Sequence, residues 1–232
     1  MIIYGLMKFI EQIPERYDRM IGWLTLGGLQ TARQVMLADV RPGMRVLDVG
    51  CGTGSFLLEA AGRGAICVGV DASLPMLEVF RRKLASTSPE IRDRITIVHQ
   101  SASLLNRAAT PGSFDLVTSS LMLGELPTIV LDAVLRQIPE MLIPGGKVLI
   151  CDELWPRERW RSLAYSFVLA VTFVPNFILT RTMIRPVKGL EERMERHGLR
   201  VTGRTDFAWG VVSVVAAEPC QPNHEARRGP TT

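Results

Sequence analysis

Three glycines at every second position, Gly50, Gly52 and Gly54, interrupt the chain where an apolar β-type run (Val46, Leu47, Val49, broken by Asp48) gives way to the helix-forming segment Ser55-Phe-Leu-Leu-Glu-Ala-Ala. A strand that turns directly into a helix through glycines requires backbone conformations that side chains resist. It also lets a ligand come close to the main chain. The start of a helix carries unpaired N–H groups and a partial positive charge, so the spacing predicts bare amides aimed at an anionic ligand. The dinucleotide fingerprint G-x-G-x-x-G is not met, because the third glycine comes one residue early. A phosphate loop would need Gly-Lys-Ser/Thr, and Thr53-Gly54-Ser55 has no lysine.

From Arg45 onward, strand-like and helix-like stretches alternate, which predicts an α/β fold with a parallel sheet and right-handed crossovers. Strand one is Arg45–Val49 and strand two ends at Asp71. Strand three ends at His99, strand four begins at Phe114, and strand five follows Ile143-Pro-Gly-Gly. An acidic residue about 20 positions after such glycines, at the end of the second strand, can accept both hydroxyls of a ribose. Asp71 stands there, and it could also cap the helix that opens at Ala72–Leu77. The helix Met76–Ala85 is amphipathic, with Arg81, Arg82 and Lys83 expected to face water. His99, at a strand end, is a weak candidate for chemistry.

Two flanking regions complete the chain. Residues 1–40 show helical spacing and predict an N-terminal helical cap, with one helix from Leu29 to Leu37. Residues 154–186 form an apolar insertion in which Ser162–Thr180 carries no charge, close to the roughly 20 residues of a membrane span. Pro175-Asn176 interrupts it, and arginines flank it on both sides without asymmetry. It is expected to form a helical lid over the site, with membrane-surface contact through 162–185 left open. Residues 219–232 read as a flexible tail, leaving 1–218 as one domain.

With 27 basic and 23 acidic residues the net charge is +4, too even a balance to point to nucleic acid. Four cysteines, none in a C-x-x-C pair, read as reduced thiols of a cytoplasmic protein, and no zinc spacing is present. The N-terminal apolar run is short and broken by Gly5 and Lys8, so no secretory leader is expected.

The glycine loop, Asp71, Phe114-Asp-Leu-Val and Ile143-Pro-Gly-Gly-Lys-Val-Leu-Ile resemble the motifs of class I S-adenosylmethionine-dependent methyltransferases, over roughly residues 15–218. The resemblance implies a doubly wound, Rossmann-like, seven-stranded, mostly parallel sheet closed by an antiparallel hairpin. It implies S-adenosylmethionine as cofactor, held by Asp48, Gly50, Cys51, Gly52 and Gly54 at the loop, by Asp71, Ala72 and Met76 after strand two, by Ser101 and Ala102 after strand three, and by Ser119 on strand four. No metal is implied. Many relatives carry histidines after strand four, where this chain reads Leu121-Met-Leu-Gly-Glu125. Candidates for a base are therefore Glu125, Asp152 and Tyr17; Tyr17 lies in a segment, Glu15-Arg-Tyr-Asp-Arg, similar to the entry of quinone-pathway C-methyltransferases.

That segment, with Leu24-Thr-Leu-Gly, Gly124-Glu125-Leu126, Cys151-Asp-Glu and Thr182-Met-Ile-Arg-Pro-Val, also resembles a corrinoid-protein-associated methyltransferase subgroup, which implies a corrinoid protein as a possible neighbour. The expected function is methyl transfer to a small hydrophobic or corrinoid-linked acceptor. The alternatives are a catalytically idle cofactor-binding module that docks a partner protein, and an NAD-dependent oxidoreductase. The identity of the acceptor is not encoded in any motif.

Overall fold

The computed structural model describes residues 27–155, 187–207 and 212–220. Tyr17, most of the apolar lid segment and nearly all of the tail lie outside the described residues. The elements in chain order are α1 (Gly28–Ala38), β1 (Arg45–Val49), α2 (Ser55–Gly62), β2 (Ile66–Asp71), α3 (Leu74–Ala85), a single turn α4 (Pro89–Arg92) and β3 (Ile95–His99). After a 3₁₀ turn (Ala102–Leu104) come α5 (Leu105–Ala108), β4 (Phe114–Ser120), a second 3₁₀ turn (Leu123–Glu125), α6 (Thr128–Met141), β5 (Leu142–Glu153), α7 (Leu190–Arg196), β6 (Leu199–Phe207) and β7 (Val212–Pro219).

Seven strands form one sheet in the order β3-β2-β1-β4-β5-β7-β6. The first five pair in parallel, whereas β7 runs antiparallel to both β5 and β6. This is the mostly parallel sheet with an antiparallel closing hairpin expected from the sequence. The chain starts in the middle of the sheet, winds outward to β3, then crosses back to β4. That reversal between β1 and β4 opens a crevice above their carboxyl ends, where ligands of such sheets bind.

The central strands are apolar on both faces because helices cover both. One core cluster holds Val46, Leu116, Leu149 and Cys151 of the sheet against Ala32, Met36 and Leu37 of α1, Phe56 and Leu57 of α2, and Leu77 and Phe80 of α3. The opposite cluster packs Leu47, Val49, Val117 and Ile150 against Leu131, Val134, Leu135 and Ile138 of α6 and Leu190 and Met194 of α7. Helix α3 ends its exposed face with the expected arginines, but Lys83 does not face water: its Nζ donates to Thr53 Oγ1 at 3.0 Å and Ser55 Oγ at 3.1 Å. Strand β7 continues to Pro219, and the Cys220 amide donates to the Gly198 carbonyl at 2.8 Å, so the first two residues of the expected tail are bonded to the fold. Among the described residues, no helix is long and apolar enough to cross a membrane.

Candidate cofactor and transfer site

Two adjoining cavities occupy the crevice. The larger, about 380 Å³, is lined by Gly50, Gly52, Asp71, Ala72, Met76, Ser101, Ala102, Leu121, Met122 and Glu125 among others. This lies within the range of roughly 300–1,000 Å³ common for small-molecule sites. The smaller, about 60 Å³, shares Gly50, Gly52, Ser120 and Leu121 with the first and adds Arg33, Asp48, Cys51, Thr53 and Ser55. Of the residues expected from the sequence, Gly50, Gly52, Asp71, Ala72, Met76, Ser101 and Ala102 meet around the larger cavity, and Asp48 and Cys51 join the smaller.

The glycines divide their work. Gly50, Gly52 and Gly54 all have positive φ, at +75°, +52° and +74°. A Cβ on Gly50 would lie 2.5 Å from Met122 Cγ, and one on Gly54 would lie 2.1 Å from Phe80 Cδ2. Those two glycines let the loop after β4 and helix α3 close onto the turn. A Cβ on Gly52 would meet nothing within 4 Å, so this is the glycine whose bareness faces open space. Gly54 therefore serves packing and lines neither cavity.

The expectation of bare amides fails at four positions. The Gly50 and Cys51 amides both donate to the Val70 carbonyl, at 2.8 and 3.1 Å, and the Gly54 amide donates to the Cys51 carbonyl at 2.9 Å. The Gly52 amide donates to Asp71 Oδ2 at 2.7 Å. Buried amides find partners, and the parallel neighbour β2 is close enough to supply them. The loop thus offers close approach rather than a nest of free N–H groups. The cation on the smaller cavity's wall is Arg33 of α1, which also pairs with Glu59 at 3.4 Å.

Of the two roles expected of Asp71, the bond at the start of the next helix is visible, and the side chain also lines the large cavity. Its Oδ1 accepts the Ser73 amide at 2.7 Å, steadying the start of α3, where Ser73 is the cap residue. Its Oδ2 holds the glycine loop. The carboxylate faces the large cavity with accepting capacity left for a ligand hydroxyl. Burial raises its pKa, while the Ser73 and Gly52 amides work against that rise. Asp48 is deeper, 3% exposed, with Thr118 Oγ1 donating to its Oδ1 at 2.7 Å. Burial first, and the nearby Asp71 charge, push its pKa up to about 7 despite Thr118 and Arg33. A cation beside it would be favoured.

Beyond strand three, Ser101 lines the large cavity, but its hydroxyl caps the 3₁₀ turn through Ser103 (N to Oγ, 3.3 Å) and its amide donates to Gln100 Oε1 at 2.9 Å. His99 lies at the exposed edge, with Nε2 3.1 Å from the Ala72 carbonyl, and lines neither cavity. Ser119 is displaced by strand parity. Leu116 belongs to one core cluster and Val117 to the other, so Ser120 points to the cavities and Ser119 to the α6 face. There its hydroxyl is buried without a hydrogen-bond partner among the described residues.

Two candidate bases are placed. Glu125 lines the large cavity from the end of the second 3₁₀ turn. Asp152 does not line it: Oδ2 accepts the Leu123 and Gly124 amides at 2.9 and 3.2 Å and Oδ1 accepts the Glu153 amide at 2.8 Å. Ser120 and Leu121 lie at the strand end expected to line the site, while sequence reasoning missed Arg33, Met122 and Leu126 as lining residues. Only the Leu29–Arg33 spacing, one turn apart on the inward side of a helix, hinted at the first of these.

Residues 46–146 match the family model described as a methyltransferase domain. Demethylmenaquinone methyltransferase of Clavibacter sepedonicus is 37% identical over 146 residues, covering 61% of this chain and 55% of the relative. The enzyme of the same name from Staphylococcus aureus (strain MRSA252) is 30% identical over 173 residues, covering 71% of this chain and 68% of the relative. The chain thus spans between a little over half and about two thirds of the length of these relatives. Among solved structures, the glycopeptide N-methyltransferase MtfA complexed with S-adenosyl-L-homocysteine superposes with a TM-score of 0.60 at 19% identity, covering 83% of this chain and 87% of that one, a likeness of fold.

Proposed function

Because the chain belongs to the class I S-adenosylmethionine-dependent methyltransferases, we propose that it holds this cofactor across the two cavities and passes its methyl group to a small apolar acceptor at the carboxyl edge of the sheet. The observation that carries the reading is Asp71, a half-buried carboxylate at the end of β2 that lines the large cavity, braces Gly52 and retains accepting capacity for a ribose hydroxyl. Met76, Ala72, Ser101 and Ala102 would enclose the base. Arg33 would meet the amino-acid carboxylate, and Asp48 the ammonium.

The bound cofactor supplies an electrophilic methyl on a sulfonium. What the chain adds is alignment, and alignment of nucleophile, carbon and leaving group can contribute several kcal/mol, up to about 7–11. Ser120 and Leu121 border both cavities, where donor and acceptor would meet. Glu125 is the carboxylate on the large cavity's wall able to take a proton from an acidic carbon or hydroxyl acceptor.

The names of the curated relatives support a quinone-type acceptor, and the motif likeness noted above supports a corrinoid-linked one. The deciding experiment incubates the purified chain with S-adenosylmethionine and either a short-chain demethylmenaquinol or a corrinoid carrier protein, and measures S-adenosylhomocysteine. Turnover with the quinol supports the first acceptor; turnover with the carrier supports the second. Tight binding with no turnover on either would turn the protein into an idle cofactor-binding module. Asp71→Ala should weaken S-adenosylhomocysteine about 10- to 100-fold by calorimetry, since hydrogen bonds to a charged group contribute about 1.5–3 kcal/mol. Unchanged affinity would sink the ribose assignment.

A further inference from the structure

Between β4 and α6 the chain forms a short arch, Leu121 to Leu126, which supplies Leu121, Met122, Glu125 and Leu126 to the large cavity. The arch is strained at its first residue. Leu121 has φ +53°, the one non-glycine residue with positive φ among the described residues. That conformation costs a leucine roughly 1–2 kcal/mol, and it persists only where surrounding structure enforces it. The Leu121 amide is fixed to the Cys151 carbonyl at 2.8 Å, and Met122 lies directly on Gly50, where a Cβ would collide with it. The next two amides, Leu123 and Gly124, converge on a single oxygen of Asp152, a side chain only 3% exposed.

We propose that Asp152 is a positioning residue for the site: it clamps the arch so that Leu121 and Met122 stay seated against the glycine loop and Glu125 stays on the cavity wall. This inference rests on the cofactor reading above. Asp152 lines neither cavity and acts through the two amides it accepts. Its third bond, from the Glu153 amide, fixes the carboxylate on β5 and so ties the arch to the centre of the sheet. Its Oδ2 is filled by two amides and the side chain lines neither cavity, which is why the residue is unsuited to carry a proton for the acceptor. A carboxylate that gathers two successive amides does locally what a helix cap does. Without it, the αL leucine would relax toward an ordinary conformation, and the arch would spend only part of its time in the seated form. Apparent affinity falls by that fraction.

The test uses the full chain and S-adenosylhomocysteine as probe. Calorimetry on the wild type comes first; if it shows no binding, the cofactor reading fails, and the clamp with it. Given wild-type binding, Asp152→Ala should weaken the probe by roughly tenfold, as for an arch seated a tenth of the time. Asp152→Asn, which keeps one carbonyl oxygen as acceptor, should recover part of that loss. The amide proton resonances of Leu123 and Gly124 should move upfield in both variants while those of β1 and β2 stay in place. Should Asp152→Ala fail to fold, Asp152→Asn is compared in the wild-type and Leu121→Gly backgrounds. Glycine removes the strain, so the loss caused by Asp152→Asn should be smaller there. Wild-type affinity in a folded Asp152 variant, unshifted amides, or an equal loss in both backgrounds would each overturn the clamp.

Discussion

At the scale of single residues, the same chemical group behaves differently a few ångströms apart. Asp71 faces the large cavity, Asp152 lies away from it with two amides on one oxygen, and Asp48 is buried with a pKa of about 7. An ammonium beside Asp48 stabilises its ionised form, so binding S-adenosylmethionine between pH 6 and 7 should release a proton. Calorimetry in buffers of differing ionisation enthalpy would register the release, and Asp48→Asn should abolish it; proton uptake by the wild type would contradict the assignment. Ser119 was readable as a site residue only by its place at a strand end. A shift of one position swaps the faces of a strand, and no sequence motif marks which of Ser119 and Ser120 points inward. Its buried hydroxyl, unpartnered among the described residues, makes Ser119→Ala an expected stabilisation of about 1 kcal/mol, since an unsatisfied polar group is removed. A loss of stability in urea denaturation would show that the hydroxyl has a partner in solution.

Among elements, the strands and their parallel pairing were legible because alternation of β and α segments and the carboxyl-end rule act locally. Arg33 was not, because its role depends on how α1 is laid against the glycine turn, and nothing within its own helix records that approach. Nor were the occupied amides, since their acceptor, the Val70 carbonyl, belongs to another strand. Lys83 is a similar case: two neighbouring arginines make it look like part of a wet face, and only the fold brings Thr53 and Ser55 within its reach. The two glycines at 52 and 54 should separate binding from packing. Gly54→Ala places a methyl into the Phe80 ring at positive φ, and should destabilise by about 2–5 kcal/mol from strain and overpacking combined. Gly52→Ala meets open space, so it should cost about 1–2 kcal/mol for its φ alone, yet weaken S-adenosylhomocysteine more than tenfold by intruding on the cradle. Denaturation midpoints and calorimetry on both variants check the pair; equal stability losses would refute the division.

At the scale of the fold, three deeply buried carboxyls among the described residues share one sign of shift. Asp48 and Glu153 are raised to about 7 and Asp152 to about 6, all chiefly by burial. In the unfolded chain such groups ionise near pH 4, whereas the folded chain keeps their protons up to pH 6–7. Over that window the folded state binds more protons, so stability falls as pH rises. Ligand-free protein should therefore unfold at a higher urea concentration at pH 5.5 than at pH 7.5, and the difference should shrink when Asp48 and Glu153 are replaced by their amides. A midpoint that climbs with pH would refute it. One feature of the turn after β1 reaches further than the site. With the Gly50, Cys51 and Gly52 amides anchored to the end of β2, the cradle has no means of melting ahead of the sheet. Ligand occupancy is then linked to global unfolding alone, so a hundredfold excess over Kd should raise the unfolding free energy by about 2.7 kcal/mol in full, and those three amides should exchange with deuterium only as fast as the slowest protons of the central strands.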